Sequence, residues 1–388
     1  MKKIRIGLLP RILVAILLGV LSGQVLSLQW VRIFATFNTV FGQFLGFMIP
    51  LIIVGLVTPA IADIGKSAGK LLVITVVIAY VDTVFSGLLA YGTGSWLFPD
   101  MIAGASGVTD VGKAAAIEPY FTVSIPPILD VMAALVFAFM VGLGIAYGNC
   151  RTLKESFKEF KEIVSKTIIK AIIPLLPLYI FGIFLCMTYT GQAYRIMLVF
   201  VQIIIVIFVL HFFILIYQFC IAGALVKRNP FRLLWNMLPA YLTALGTASS
   251  AATIPVTLKC SLRNGVHEGI AGFVVPLCAT IHMSGSAMKI TACALTICLL
   301  HGMPHGFGVF LNFVMLLAIM MIAAPGVPGG AIMAALAPLA SVLGFGATDQ
   351  ALMIALYIAM DSFGTACNVT GDGAIALVVD RYFKKTIA

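Results

Sequence analysis

Asp361 and Asp372 stand eleven residues apart in a stretch otherwise rich in apolar and small residues. Three turns of α-helix take about 10.8 residues, so a helix here points both carboxylates the same way. Thr365 and Asn368 fall on that stripe between them. The result is a ladder of polar side chains on one face of an apolar helix, which either binds a ligand or forms a structural network. Asp82 and Lys289 are two further charges inside apolar runs. Intramembrane charges are expensive and mark functional sites, and Asp82 and Lys289 could pair across neighbouring spans. His282 has two readings: a neutral, satisfied core histidine, or a proton-coupling group, since imidazole titrates in the physiological range. His211, His267, His301 and His305 show no metal-ligand spacing, and no nucleophile–base pair or phosphate loop stands out.

The frame that must hold these groups is a membrane. Of 388 residues, 62% are apolar by type and only 10% are charged, with a mean hydropathy of +1.13. A soluble domain carries about 25% charged residues, so this chain could not cover a soluble surface. The formal net charge of +10 sits in short Lys/Arg clusters between apolar runs, which is how topology signals are distributed rather than a nucleic-acid face. The eight cysteines include no C-x-x-C pair and read as small hydrophobes in helix contacts. The N-terminal apolar stretch lacks a small-residue cleavage site and reads as a retained first helix.

A span needs about 20 apolar residues. Such runs lie near 5–27, 34–62, 70–97, 125–148, 168–190 and 196–226, with two intact spans further on at 268–300 and 349–379. Each of these last two follows a broken segment, 231–262 and 306–345. The breaks are Gly246-Thr-Ala-Ser-Ser-Ala-Ala-Thr-Ile-Pro255 and Ala323-Ala-Pro-Gly-Val-Pro-Gly-Gly330; the second, with two prolines and three glycines, cannot continue a helix. Non-helical backbone at membrane depth survives only where protein buries it or a cavity hydrates it. Paired interrupted segments of this kind point to a secondary-transporter binding site. With eight crossings and two re-entrant segments, every basic cluster falls on the cytoplasmic side. These are Lys2 to Arg5, Lys66 and Lys70, Arg151 to Lys166, Lys227 to Arg232, Lys259 and Arg263, and Arg381 to Lys385. Residues 151–166 read as an amphipathic, solvated entry to the fifth span.

Four motifs now stand in order: Ala248-Ser-Ser-Ala-Ala-Thr-Ile-Pro-Val-Thr257, Pro276-Leu-Cys-Ala-Thr-Ile-His-Met-Ser-Gly-Ser286, Gly326-Val-Pro-Gly-Gly330 and Asn368-Val-Thr-Gly-Asp372. Together they resemble the signature regions of the dicarboxylate/amino acid:cation symporter family, the glutamate-transporter homologues, with the serine/threonine-type sodium symporters nearest in pattern. The resemblance implies an all-α polytopic membrane protein of eight transmembrane helices and two re-entrant hairpins, working as an elevator-type homotrimer. It implies a scaffold and trimerisation part in 1–230, from which the third span (about 70–97) is lent to a transport domain. That domain would hold hairpin 1 (231–262), span 7 (268–300), hairpin 2 (306–345) and span 8 (349–379). Asp361 matches the aspartate that holds the substrate's amino group, and Ser249, Ser250, Val327 and Gly329 match hairpin-tip positions cradling the substrate. Thr365 and Asn368 lie beside them, Asn368 and free hairpin amides meeting the substrate carboxylate. Asn368 and Asp372, with carbonyls near Cys278, match one sodium site; Thr280 and the backbone of Met321, Ile322 and Ala324 match a second.

The departures narrow the expectation. Gly364 stands where acidic-substrate members carry an arginine, and Ala248 replaces another arginine of some members. A buried second carboxylate without a partner would cost several kcal/mol, so a small neutral amino acid is the expected substrate. His282 and Ser284 stand in place of an asparagine and an aspartate that serve sodium sites, and Ile78 and Ala79 supply no hydroxyls, so a third sodium site looks absent. The chain therefore reads as a symporter rather than an enzyme, coupling Na+ entry to uptake of a small neutral amino acid, with H+ as the alternative ion and no organic cofactor. An acidic amino acid or C4-dicarboxylate symporter is the alternative within the class, and a gated channel the alternative outside it. Its partners would be membrane lipids and its own copies, with no nucleic acid, in a bacterial-type inner (plasma) membrane with both termini cytoplasmic.

Overall fold

The protein is described by a computed structural model that covers residues 8–64, 70–104, 117–148, 150–191, 193–324, 326 and 328–387. Val327, the Lys2–Arg5 cluster and Lys66 lie outside the described residues. All regular structure among the described residues is helical, as apolar runs without alternation dictate. In order these are α1 (Leu8–Gly23), α2 (Leu28–Ile64), α3 (Lys70–Gly104), α4 (Val131–Tyr147), α5 (Arg151–Thr167), α6 (Ile173–Tyr189) and α7 (Ala193–Val226). There follow α8 (Pro230–Asn236), α9 (Leu238–Thr247), α10 (Ser250–Arg263), α11 (Glu268–Ile281) and α12 (Ser284–His301). The chain ends in α13 (Phe307–Ala323), α14 (Gly330–Ser341) and α15 (Ala347–Ile387).

Six helical stretches among the described residues are long and apolar enough to cross a bilayer. The first span ends at Gly23, before the expected 27, and the fourth begins at Val131 rather than near 125 because residues 117–130 form no helix. Asp130 ends that stretch as the N-cap of α4, accepting from the amide of Ala133 at 2.9 Å, a bond that supplies one of the free donors at a helix start. A π-helical turn, Ile168–Ile172, joins α5 to α6 just ahead of Pro174, which has no N–H to give back to the preceding turn. The amphipathic reading of α5 holds: Lys158–Glu155 (2.8 Å) and Lys166–Glu162 (3.0 Å) pair on its exposed side, and Val164 packs inward.

Two corrections concern the segments that follow. The span at 268–300 is not intact, because its helix stops at Ile281 and restarts at Ser284. His282 and Met283 carry extended and irregular backbone between the halves. The segment at 231–262 is three helices rather than two, with α8 and α9 meeting at Met237, two residues before Pro239.

Both expected breaks are helix–turn–helix. α9 ends at Ala248, whose backbone is left-handed (φ 48°), and Ser249 starts α10 by accepting from the Ala252 amide at 3.3 Å. α14 begins after Gly329 at φ +74°, a conformation that favours glycine. In the apolar windows of 268–301 and 347–383, 94% and 83% of residues are buried, against 28% for 70–103. α15 therefore runs through the centre of the molecule, in contact with α7, α9, α10, α11, α12 and α14, while α3 lies outside against α12 and α13. α1 packs on α6 and α2 on α4.

Candidate functional site

The two hairpin turns meet at the central helix. Ser249 Oγ, at the first turn, donates to the carbonyl of Gly326 in the second at 3.0 Å. The Gly329 amide, at the end of the second turn, donates to Asp361 Oδ2 at 2.7 Å. One carboxylate of the α15 ladder thus fastens a hairpin tip, and a bond joins the two tips. Ser250 and Asp361 are each 6% exposed, so the meeting point is enclosed.

Asn368 binds α12 rather than open space. Its Oδ1 accepts from the amides of Gly285 (2.9 Å) and Ser286 (3.3 Å), and its Nδ2 donates to Ser286 Oγ at 3.0 Å. The first amides of a helix lack internal partners, and Met283, the residue before α12, offers no capping side chain. Asn368 thus caps α12 across the interface with its Oδ1, and its amide group, bonded once to Ser286 Oγ, keeps a second N–H. Tyr357 also donates to Ser286 Oγ, at 2.9 Å. The Thr365 hydroxyl turns back to the Asp361 carbonyl (3.1 Å) and that of Thr280 to Leu277 (2.8 Å).

The break between α11 and α12 places His282 between two carboxylates. Its Nε2 lies 2.7 Å from Asp82 Oδ2 on α3, and its Nδ1 lies 2.9 Å from Asp372 Oδ1 on α15. Each of these close contacts needs a hydrogen between nitrogen and oxygen, so the three groups together hold two protons. Tyr217 and Gln218 of α7 also donate to Asp82, Gln218 at 2.7 Å. Gln218 reaches Ser284 Oγ as well, at 3.1 Å. Gly371 makes room for this arrangement, since a Cβ there would lie 2.8 Å from His282 Cε1 and from Gln218 Oε1. Tyr217 and Gln218 are site residues that the sequence reading missed.

The pairing of Asp82 with Lys289 is therefore corrected. Lys289 Nζ instead donates to the Met360 carbonyl at 2.8 Å, with the Phe363 ring 5.8 Å away. It is 1% exposed. A Cβ added to Gly364 would lie 3.3 Å from Lys289 Nζ and 3.3 Å from Ser286 Oγ. The ammonium thus lies against the place where a side chain at 364 would start.

For a small cation, the relevant atom is Asp372 Oδ2, which is buried and has no hydrogen-bond partner. An orphaned anionic oxygen fits a hard cation that prefers oxygen ligands. The carbonyl of Cys278 accepts from the His282 amide at 2.9 Å, and that of Met321 from Ala324 at 3.2 Å; each carbonyl keeps a second lone pair. Ala324 is buried and Ile322 half-buried beside them.

An apolar chain, helical in all regular structure of its described residues, with two helical turns joined to each other and one of them fastened to a buried carboxylate of a central helix, has the build of a membrane transporter. Comparison with known proteins gives the family. The sodium:dicarboxylate symporter family matches residues 8–382, and the chain belongs to it. Among curated proteins it is 36% identical over 163 residues to human excitatory amino acid transporter 3, covering 42% of this chain and 31% of that protein. It is 35% identical over 159 residues to an excitatory amino acid transporter of Caenorhabditis elegans, covering 41% and 31%. To the rat neutral amino acid transporter B(0) it is 32% identical over 161 residues, covering 41% and 29%. The matched stretch spans about a third of these relatives' length. The family and these relatives are transporters, not enzymes.

Proposed function

We propose that the protein is a secondary active symporter that takes up a small amino acid at the hairpin-tip site, driven by a cation that is most simply sodium. The observation that carries this is the closure of the second helical turn on Asp361 and of the first turn on the second. A solute enclosed there touches groups of a single chain, whereas a channel needs rings of groups around a shared axis. The family's name speaks for sodium, and the orphaned Asp372 oxygen supports it. Asp361 would take the solute's ammonium group, Ser249, Ser250, Val327 and Gly329 would enclose it, and Asp372 with the Cys278 carbonyl would hold an ion. Thr280 with the carbonyls of Met321, Ile322 and Ala324 would hold a second ion.

Gly364 brings no guanidinium, and on that ground the expected solute was neutral; Lys289 beside Gly364 removes the ground. The rest of the working protein extends the same reading: 231–388 with α3 as the moving part, 1–230 as scaffold, three copies in an inner membrane, both termini cytoplasmic. The packing of α3 on α12 and α13 supports its place with the moving part. Uptake of labelled amino acids into proteoliposomes under an inward sodium gradient, or a proton gradient alone, tests the proposal. Accumulation above equilibrium is expected with sodium. Flux that only equilibrates would indicate a channel, and accumulation driven by protons alone would overturn sodium as the driver.

A further inference from the structure

Lys289 is the least explained charge in the molecule. A buried ammonium is costly unless it is paired and hydrogen-bonded, yet Lys289 forms no ion pair among the described residues, and its one hydrogen bond is to the Met360 carbonyl. An ammonium carries three donors, so two remain. They lie beside Gly364, where the missing side chain leaves the ammonium 3.3 Å from the Cβ position. Gly364 is less than one helical turn from Asp361, the carboxylate that fastens the second hairpin. The start of α10 lies at the same meeting point, with Ser249 bonded to Gly326, and a helix start carries positive partial charge.

The enclosed site thus presents one anion, Asp361, and two positive features, the α10 N-terminus and Lys289. A neutral amino acid matches Asp361 with its ammonium and one positive feature with its carboxylate, leaving Lys289 without a counter-ion. A dicarboxylate without an amino group leaves Asp361 unmatched. An amino acid with two carboxylates satisfies all three. Resting on the hairpin-tip site proposed above, we infer that Lys289 receives the side-chain carboxylate of an acidic amino acid. The cation comes from α12 into a gap that α15 leaves at Gly364.

The test compares L-aspartate with L-asparagine, which share a shape and differ in charge, as competitors of uptake by the full-length protein in proteoliposomes. Wild type is expected to favour aspartate by about 30-fold or more, equivalent to about 2 kcal/mol. Lys289→Met should remove most of that ratio by weakening aspartate relative to asparagine, and Lys289→Arg should keep most of it. Size-exclusion profiles show whether each variant folds; if Lys289→Met does not, the wild-type ratio and Lys289→Arg decide. Equal inhibition by aspartate and asparagine in wild type overturns the inference, as does a Lys289→Met loss that is equal for both. Inhibition by succinate as strong as by aspartate overturns the requirement for an amino group. If wild type accumulates a neutral amino acid and ignores aspartate, the inference fails while the symport reading stands. If it accumulates no amino acid at all, both fail.

Discussion

Asp82 has two claimants, and a pair of double-mutant cycles separates them. The sequence places Asp82 and Lys289 as unusual charges in spans; the structure gives Asp82 to His282 at 2.7 Å and Lys289 to the Met360 carbonyl at 2.8 Å. Asp82→Ala removes the acceptor of three donors, from His282, Tyr217 and Gln218. Truncating one partner of a buried charge pair costs about 3–5 kcal/mol because the other is left uncompensated. His282→Ala has a comparable cost, since Asp82 and Asp372 then face each other with no hydrogen between. The double variant should cost far less than the sum, giving a coupling of about 2 kcal/mol or more. Asp82 and Lys289 share no hydrogen-bond partner, and residues without one add within about 0.5 kcal/mol. Thermal unfolding in detergent at one scan rate reads both cycles; for a chain of this size 1 kcal/mol moves the midpoint by about 1–2 °C, extrapolating from smaller domains. A coupling between Asp82 and Lys289 larger than that between Asp82 and His282 would refute the assignment.

Three further perturbations follow from single contacts. Asp372→Asn should abolish the rise in midpoint that sodium chloride gives over choline chloride, because it neutralises the orphaned buried oxygen; an unchanged sodium response would remove Asp372 from the ion site. Gly329→Ala forces a side chain onto a left-handed residue (φ 74°) at about 1–2 kcal/mol and disturbs the amide that fastens Asp361, so substrate affinity should fall about tenfold in competition uptake. Wild-type affinity would show that this tip geometry is not needed for binding. Gly285→Ala places a Cβ 2.4 Å from Cys367 Cβ and 3.0 Å from the Gly364 carbonyl; neither a Cβ fixed to its backbone nor a backbone carbonyl can rotate away, and about 3 kcal/mol or more of stability should be lost by the thermal assay. A midpoint within 1–2 °C of wild type, the same converted scale, would show that α12 and α15 can separate there.

What was legible in the sequence was whatever one helix decides alone. The eleven-residue spacing of Asp361 and Asp372 needs only the helical period, and α15 does carry both, buried. The turns at 248–249 and 324–329 follow from local Gly, Ser and Pro chemistry and appear where expected. The break at His282–Met283 was hidden because neither residue is a helix breaker and the run from 268 to 300 is apolar over most of its length; the polar stretch His282-Met-Ser-Gly-Ser286 was the available sign. Tyr217 and Gln218 also had a sign, as polar side chains within the apolar run of α7. Intramembrane polar groups call for a named partner, and Asp82 is that partner. What spacing could not supply was the register of α12 against α15. That register is set by a close contact of small residues, since Gly285 rests on Gly364 and Cys367 with no space for a Cβ.

The register in turn decides where the two basic side chains of this region act. Going from His282 to Gly285 to Lys289, the neighbours on α15 go from Gly371 and Asp372 to Asn368 and Cys367 to Gly364 and Met360. The two helical segments therefore run in opposite directions. Each basic group enters a notch made by a glycine of α15, His282 at Gly371 and Lys289 at Gly364. Glycine in a helix interior costs about 1 kcal/mol relative to alanine, and here it makes room for a ring or an ammonium beside an acidic ladder. The two notches differ in one respect. His282 is held by carboxylates at both ring nitrogens, so its bonding is complete without a ligand. Lys289 has a single carbonyl and donors to spare. A basic group already saturated by the protein stabilises the frame; one left short of acceptors is fitted to meet an anion, and for that reason substrate charge is assigned to Lys289 and not to His282.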